Sequence, residues 1–558
     1  MKPLILTVVL LLAALANNAV LAADRDVFES PASATPESRI DRIVSRNLSK
    51  LRIPPPPLCS DAVFVRRVFL DTIGTLPAAD EAREFIHDQT PDKRGALVDR
   101  LLERSEFADY WAMKWGDILK IKAEFPVNLW PNAAQAYHRW VWVSLHDNKP
   151  YGRFVREMLT SSGSNFRVGQ VNFYRAMQNK TPEGIAASVA LAFMGARTDR
   201  WPKDRLAGMA AFFSQVAYKP TREWKEEIVF RDPDREPAAP TGQPASQIST
   251  NNAARQTGEK TALPAPTQTV RALRQEAVFP DGTRLKRIPP GKDPREIFAD
   301  WLITPKNAWF TGNIVNRIWA WLLGRGIIHE PDDIRPDNPP SNPELLAFLQ
   351  SEFTAHNYDM KHICRLILKS STYQFSSIPP KPDVPGAEAN FAFYPLRRLD
   401  AEVLIDAINK VTGTSELYTS PIPEPFSFIP EDKRAITLPD GSITSPFLEL
   451  FGRPARATGM ENERVNRASP IQRMHMLNSS HIQRKLEQGP KLKKIIKTGR
   501  TPREIMENIY LTILSRFPTD DERKIAADYA GAGAVKGREA WIDLAWVLIN
   551  SDEFLYRH

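Results

Sequence analysis

The stretch from Pro294 to Ser377 constrains the fold most, because several helix patterns follow one another closely there. Apolar residues recur at three- and four-residue spacing, which is typical of one buried face of an α-helix. The clearest stripe consists of Ile314, Val315, Ile318, Trp319 and Leu322. Gly324 then provides a left-handed helix stop, and Asn342-Pro343 provides the cap and first residue of another helix. The stretch therefore predicts a set of packed helices.

Helix patterns of the same kind occupy most of the chain on both sides of a proline-rich segment. That segment is also rich in Ser, Thr, Gln and Asn and poor in large apolar residues, as linkers are. We predict a mainly α protein with two helical lobes joined by this Pro-rich linker. The N-terminal helical domain is expected at 38–230, the linker at 231–277 and the C-terminal helical domain at 278–556.

Two Asp-Gly pairs predict a small β-hairpin element. The first lies in the segment 278–285 and the second in the segment 436–443, each with flanking residues that suit short strands. We expect the two hairpins to pair with each other in one small sheet.

Three aromatic residues at four-residue spacing, Phe107, Trp111 and Trp115, form a stripe along another predicted helix. Such a stripe is more often part of the core than a platform on which sugars stack. We therefore predict that these rings are buried.

The first 22 residues have the pattern of a secretory signal peptide. Lys2 precedes the apolar run Leu4–Ala16, and Val20-Leu21-Ala22 suits cleavage after Ala22. A membrane anchor is the alternative, but the run is shorter than the ~20 residues that a spanning helix needs. We expect an extracytoplasmic protein, periplasmic or secreted, with no stable transmembrane anchor after cleavage.

The formal net charge of +8 does not indicate a nucleic-acid partner. Basic residues are scattered among acids, and the run 491–497 is best explained as a solvated helix face. No nucleic-acid-binding motif accompanies that run. The partners expected instead are an extracellular glycan or an envelope protein.

Cysteine and histidine residues give little indication of a metal site. Cys59 and Cys364 either form a disulfide or remain buried thiols, and the apolar stripe around Cys364 favours the thiol. His356 and His362 are six residues apart, as are His475 and His481, and six residues of helix rotate a side chain by about 600°. We therefore predict no metal site.

The acidic loop, defined here as Asp332–Asp337, is the densest polar segment of the sequence. Asp332 and Asp333, with Arg325 and His329, suit general acid–base catalysis if an ordered loop presents them. The simpler interpretation is an Asp-rich turn held by its own backbone and by arginine contacts. We favour the turn and keep these four residues as catalytic candidates.

Several basic and aromatic residues are candidates for ligand binding. They are Arg197, Trp201, Arg317, Arg453 and Arg456. The last two belong to a segment rich in Arg, Glu and Asn that suits either an ion-pair network or an anion site. No GxSxG, P-loop or GxGxxG motif with strand context occurs, so nucleophile-elbow and nucleotide-binding interpretations lack support.

Longer motifs in both halves resemble a known pair of domains. NRIWAWLLGRGIIHEPDDIRPDNPPSNPELLAFLQSEF, KHICRLILKSSTYQ and PLRRLDAE resemble the planctomycete-type domain of unknown function. FVRRVFLDTIGTLPAADE and DKRGALVDRLLERSEFADYWAMKWGDIL resemble its usual N-terminal partner, a domain named for a cytochrome-like motif. The resemblance implies a large exported protein of the Planctomycetes or related bacteria, without an established activity.

The chain departs from this resemblance at one position. Many relatives carry a CxxCH-type element where this sequence has Phe193–Trp201, a segment with no cysteine or histidine. Covalent haem attachment requires two thiols and an axial histidine. Haem is therefore excluded at this position, and we expect no cofactor.

Together these observations predict a non-catalytic scaffold or binder of extracellular glycans or protein partners. The alternative is an extracytoplasmic hydrolase or transferase that uses Asp332 and Asp333 as acid and base.

Overall fold

The computed structural model describes residues 25–31, 36–54, 56–235, 276–286, 288–289, 291–379, 384–531 and 537–558. The predicted signal peptide at 1–22 and most of the predicted linker at 231–277 lie outside the described residues. Two helical regions flank that segment, as predicted, and the sheets have only two or three strands.

Several of the described helices begin where capping residues and prolines predict. Thr181 and Asn342 each precede a proline, and their side chains accept the backbone N–H groups of Gly184 and Leu345. None of the described helices is both long and apolar enough to span a bilayer.

The helices of the N-terminal region are α1 Arg25–Phe28, α2 Arg39–Lys50, α3 Asp61–Thr72, α4 Ala79–His87, α5 Lys93–Glu103, α6 Ser105–Ile118, α7 Pro131–His146, α8 Tyr151–Thr160, α9 Asn172–Arg175, α10 Pro182–Met194 and α11 Lys203–Ala210. Those of the C-terminal region are α12 Pro294–Leu302, α13 Ala308–Leu323, α14 Pro343–Ala355, α15 Met360–Leu368, α16 Ala401–Thr412, α17 Pro446–Leu450, α18 Pro470–Asn478, α19 Ser480–Gln488, α20 Pro490–Thr498, α21 Pro502–Ile513, α22 Asp520–Gly531, α23 Arg538–Ile549 and α24 Asp552–Leu555.

The strands form three small antiparallel sheets. The first has the order β1–β3–β2, from Gly163–Ser164, Glu227–Arg231 and Val216–Pro220. The second pairs β4 Ala277–Val278 with β5 Arg284–Leu285, and the third pairs β6 Arg397–Arg398 with β7 Tyr556–Arg557. The three-stranded sheet was not predicted, because its β1 strand is only two residues long and far from its partner in sequence.

The first predicted hairpin is confirmed by β4 and β5, but the second is wrong. Residues Ala435–Thr437 form a 3-10 turn, and the two hairpins do not pair. The carboxylate of Asp440 instead accepts the backbone N–H of Ala123 at 2.8 Å. The second Asp-Gly pair therefore holds a loop of the N-terminal region.

A hydrophobic core runs through both helical regions without interruption. The predicted aromatic stripe lies in it, since Phe107, Trp111 and Trp115 are all buried. The Trp111 and Trp115 rings contact Trp321 of the C-terminal region, with centroids 5.4 and 6.0 Å apart. The two regions are thus packed together by large apolar side chains.

Both cysteines are buried free thiols. Cys59 lies before α3 and Cys364 lies on the apolar face of α15. Burial raises the pKa of the Cys364 thiol well above its ordinary value. The sequence-based preference for buried thiols over a disulfide is confirmed.

Candidate functional site: a cavity between the two helical regions

A cavity of about 360 Å³ lies where the two helical regions meet. Its size falls at the lower end of the range for small-molecule sites. One wall is apolar, and the rim contains amine, guanidinium, hydroxyl and carboxylate groups. The lining residues are Ile118, Leu119, Lys120, Phe173, Met177, Ala187, Ser188, Leu191, Ala192, Ala196, Arg197, Thr198, Asp199, Thr458 and Met460.

The cavity forms where α6 ends and a C-terminal loop approaches it. The backbone of Lys120 is left-handed, with φ of 55°, so the chain turns sharply just after the helix. Gly459 has φ of +77°, and a Cβ atom there would lie 2.8 Å from the carbonyl oxygen of Ile118. Only glycine therefore allows Thr458 and Met460 to close this side of the cavity.

Lys120 is the most perturbed charged group in the lining. Burial lowers its pKa to about 8, and Glu463 offsets this only in part. No carboxylate among the described residues forms an ion pair with its ammonium group. The side chain is half-buried, and a partly desolvated lysine without an anionic partner is costly to the fold. Groups with such a perturbed pKa are concentrated at functional sites.

Arg197 provides a second cationic group. Its guanidinium lies 2.9 Å from the carboxylate of Glu330, which also accepts a hydrogen bond from Asn462. The Nε atom of Arg197 is buried and has no hydrogen-bond partner in the described structure. Asp199 and Thr198 follow on the same segment, and Asp199 is exposed. Part of the Phe193–Trp201 segment, which lacks a CxxCH element, therefore forms the cavity rim.

The buried pair of Arg317 and Asp332 supports the cavity wall without lining it. Arg317 on α13 donates hydrogen bonds to the carbonyl oxygens of Leu191 and Ala192, at 2.9 and 2.7 Å. Asp332 forms an ion pair with Arg317 and accepts the backbone N–H of Glu461 at 2.6 Å. The pair thus connects the end of α10 to the loop that contains Thr458 and Met460, which closes the other side of the cavity. Both residues were predicted as site residues, but the structure gives them a positioning role.

The other catalytic candidates lie outside the cavity lining. Asp333 forms an ion pair with Arg335 at 3.1 Å. The side chain of His329 is largely exposed. Partial desolvation of its ring and the nearby charge of Arg325 lower its pKa. The structure does not place these groups in the lining of the cavity. It agrees with the simpler interpretation of the acidic loop as a turn held by arginine contacts.

Arg453 and Arg456 belong to a second polar assembly, the arginine cluster, which consists of Arg453, Arg456 and Arg464 with Asp117, Asp400 and Glu402. Arg456 lies 2.9 Å from Asp117, and Arg464 lies 2.7 Å from Asp117 and 2.6 Å from Glu402. Burial alone would raise the pKa of Asp400, but Lys114, Arg557 and Arg464 hold it well below its usual range. The cluster is an enclosed ion-pair network that joins α6 to the C-terminal region.

Trp201 is only half-buried, and the guanidinium of Arg205 lies 4.2 Å from its ring centroid. It does not line the cavity. The residue that sequence reasoning missed is Lys120. Its signal was a lysine between Leu119 and Ile121, two apolar residues at a helix end, which is weak without knowledge of the fold.

Within the described part of the chain, one group of side chains could hold a metal ion, and it lies apart from the cavity. Ligand atoms of Glu352, His356 and His362 all lie within 4.8 Å of one another. The prediction that six-residue spacing keeps the two histidines apart is wrong, because their rings stack with centroids 3.6 Å apart. The prediction assumed one continuous helix, whereas α14 ends before His356.

These features define a mainly helical protein whose two regions share one core and one cavity. The chain belongs to the proteins that combine PSCyt2 with PSD1, in that order. The PSCyt2 model, described as a protein of unknown function (DUF1549), matches residues 39–217. The PSD1 model, described as a protein of unknown function (DUF1553), matches residues 294–530. The resemblance seen in the sequence is confirmed, and residues from both matched segments line the cavity.

Searches of curated proteins and of solved structures gave no significant match.

Proposed function

We propose that this protein is an extracytoplasmic, non-catalytic binding protein whose cavity takes an acidic sugar unit of an extracellular glycan. The observation that carries the proposal is Lys120, a half-buried lysine without an ion-pair partner among the described residues, in the lining of a cavity of about 360 Å³. The export pattern of residues 1–22 supports the compartment.

The chemistry of the lining favours an acidic sugar. A carboxylate or sulfate beside Lys120 would compensate the charge that burial leaves unpaired, and Arg197 offers a further donor. Hydroxyl groups on Ser188 and Thr198 suit the hydroxyls of a sugar ring. The apolar wall of the cavity suits the less polar face of the sugar ring.

Aromatic rings that are partly or largely exposed elsewhere support the same class of ligand. Trp130 lies 5.4 Å from Phe426 between ring centroids, and the amine of Lys225 lies 5.2 Å from the Trp224 ring centroid. Rings of this kind expose an amphipathic surface to ligands. Large aromatic side chains with at least 49% exposure are Phe125, Trp224, Phe426 and Phe428.

The hydrolase or transferase alternative has weaker support. Asp332 is buried, and its two carboxylate oxygens are engaged by Arg317 and by the backbone of Glu461. A general acid or base must reach the proton that it transfers. Asp333 is bound to Arg335 and does not line the cavity.

Calorimetric titration of the chain with short glycans tests the proposal. Uronate-containing, sulfated and neutral oligosaccharides of matched length are titrated separately at low and high salt. We expect binding of an acidic oligosaccharide and a loss of roughly 10- to 100-fold in affinity in Lys120→Met, since a hydrogen bond to a charged group is worth that much. Lys122→Met is the matched control, because it removes a lysine two residues further on that does not line the cavity.

Binding that is equal for neutral and acidic glycans, or equal in Lys120→Met and the native chain, would contradict the proposed ligand. If none of the three glycan classes binds, a protein partner is indicated, which crosslinking in the native envelope would then identify. Turnover of a glycan that Asp333→Asn abolishes would establish the enzymatic alternative.

A further inference from the structure

We propose that Glu352, His356 and His362 form a binding site for a divalent transition-metal ion, with Zn²⁺ the expected occupant. The site lies at the turn between α14 and α15, away from the cavity. It is independent of the proposed glycan binding.

The sequence brings these residues together through a helix end. Glu352 and His356 are four residues apart, the spacing that places side chains on one face of a helix. Helix α14 ends at Ala355, and Asn357 and Tyr358 then have left-handed backbones, with φ of 53° and 60°. The chain reverses there and begins α15, which returns His362 to the same face.

Asp359 fixes the second half of the turn. Its side chain caps α15 by accepting the backbone N–H of His362 at 3.0 Å. The position of His362 therefore depends on a capped helix start and not on a loose loop. A sequence search for histidines at one fixed helical spacing misses such a pair, because the two residues lie on either side of a helix break.

The separations of the ligand atoms match a tetrahedral site. His362 Nε2 lies 3.2 Å from Glu352 Oε2, and His356 Nδ1 lies 3.5 Å from the same oxygen. Two donors that are each about 2.0–2.2 Å from a tetrahedral zinc ion lie about 3.4 Å apart. A metal ion lies in the plane of each imidazole that binds it, and the two rings are stacked with an interplanar angle of 17°. One ring must therefore rotate out of the stack for both to coordinate one ion.

The ligand chemistry selects the class of metal. Two imidazoles and one carboxylate suit zinc, copper and nickel better than calcium or magnesium, which prefer oxygen ligands. The three side chains are 29%, 48% and 18% exposed for Glu352, His356 and His362. Solvent therefore has access to the fourth coordination position.

Neighbouring contacts hold the group in place and reduce competition from cations. His356 Nδ1 lies 2.9 Å from the backbone carbonyl of Glu352, which keeps its ring above the carboxylate. Metal binding exchanges this hydrogen bond for coordination. The cations on α15 are engaged elsewhere, since Arg365 lies 2.9 Å from Asp99 and Lys361 lies 3.7 Å from Glu103.

The second histidine pair provides an internal contrast. His475 and His481 have the same spacing, and His481 Nε2 lies 2.8 Å from a carboxylate, that of Glu416. That carboxylate is already paired with the amine of Lys485 at 3.0 Å, and the two rings are 5.8 Å apart. A lysine cation thus occupies the place that a metal ion would need.

Titration of the untagged, chelator-treated chain with ZnCl₂ tests the site. We expect one ion per chain in the native protein, and at least a tenfold loss of affinity in His356→Ala and in His362→Ala. Glu352→Gln keeps the size of the side chain and should weaken binding less. His475→Ala is the matched control and should bind as the native chain does. Thermal unfolding in chelator should give similar midpoints for all variants.

Cobalt substitution gives a second readout. Co²⁺ bound by two nitrogens and a carboxylate in tetrahedral geometry gives strong visible absorption, which His356→Ala should abolish. The proposal is overturned if the native chain takes up no Zn²⁺ and no Co²⁺. It is also overturned if His356→Ala and His362→Ala, folded as the native chain is, bind zinc with unchanged affinity, or if the loss appears in His475→Ala.

Discussion

The arginine cluster and the cavity both contain charged residues at the junction of the two helical regions, but their charges are satisfied differently. In the cluster, Arg464 alone contacts two carboxylates within 2.7 Å and lies 3.8 Å from a third, Asp400. In the cavity, Lys120 has no ion-pair partner among the described residues and its pKa falls to about 8. The cluster and the cavity thus differ in whether their charged side chains have partners of opposite charge.

The comparison shows why a dense group of charges is a poor indicator of function. Buried charges that are fully paired hold the fold in register, and removing one partner is costly because the other is left unpaired. A buried charge without a partner costs stability in the free protein and gains it when a ligand of opposite charge binds. Asp332 belongs to the first kind, and Lys120, although only half-buried, belongs to the second.

The largest expected effect tests the cluster. Arg464→Ala should lower the free energy of unfolding by about 3–5 kcal/mol, because Asp117 and Glu402 remain buried with fewer cationic partners. Urea denaturation at pH 7 measures the change. Arg467→Ala removes an exposed arginine nearby and should change stability by less than about 0.5 kcal/mol. If Arg464→Ala and Arg467→Ala changed the free energy of unfolding equally, the paired charges of the arginine cluster would not stabilise the fold more than an exposed arginine does.

A smaller loss is expected for Asp332→Asn. The substitution keeps the shape of the side chain but leaves Arg317 without its anionic partner, so it should cost about 2–4 kcal/mol. Asp333→Asn, whose partner Arg335 is partly exposed, should cost less than about 0.5 kcal/mol. If Asp332→Asn is as stable as the native chain, the ion pair of Arg317 and Asp332 does not stabilise the fold.

A substitution of Lys120 in the cavity should stabilise the protein, whereas the substitutions of Arg464 and Asp332 destabilise it. Lys120→Met should raise the free energy of unfolding at pH 7 by about 1–3 kcal/mol, because it removes a partly desolvated ammonium whose pKa lies below its unfolded value. Both states are protonated below pH 8, so the native chain carries the full cost there. As the pH rises from about 8 to 10, the folded state loses its proton first, and the gain from Lys120→Met should shrink. Denaturation at pH 7 and pH 10 measures both values. A variant less stable than the native chain at pH 7 would contradict this account.

The smallest effect concerns the pH dependence of ligand binding. The affinity for an acidic oligosaccharide should fall roughly tenfold between pH 7 and pH 9.5, as Lys120 loses its charge around pH 8. Titration calorimetry at the two pH values checks this. An affinity that does not change with pH would mean that another cation, such as Arg197, binds the anion.

Much of the fold could be predicted from the sequence, because local signals determine it. Cap residues, prolines and apolar stripes correctly indicated a mainly α protein, and the buried stripe around Trp111 followed from its spacing. The three-stranded sheet could not be predicted in this way, because Gly163–Ser164 and Glu227–Arg231 pair only in the folded chain. The turn at Asp440 was mistaken for a hairpin because its role depends on a distant backbone group.

The candidate site was predicted only in part, for the same reason. Arg197 and the pair of Arg317 and Asp332 were selected as charged residues in a polar context, and the structure places them at or behind the cavity. Whether a charge has a partner depends on contacts that the fold creates, such as the one between Arg464 and Asp117. Lys120 and the group of Glu352, His356 and His362 became visible only in three dimensions.

The shared construction of the cavity has an evolutionary consequence. Its wall comes from the segment matched by PSCyt2, whereas Arg317 and Asp332, which support that wall, come from the segment matched by PSD1. Neither domain could be exchanged for an unrelated one without loss of the cavity. Residues on the two sides should therefore change together among relatives, and the two domains should be inherited as one unit.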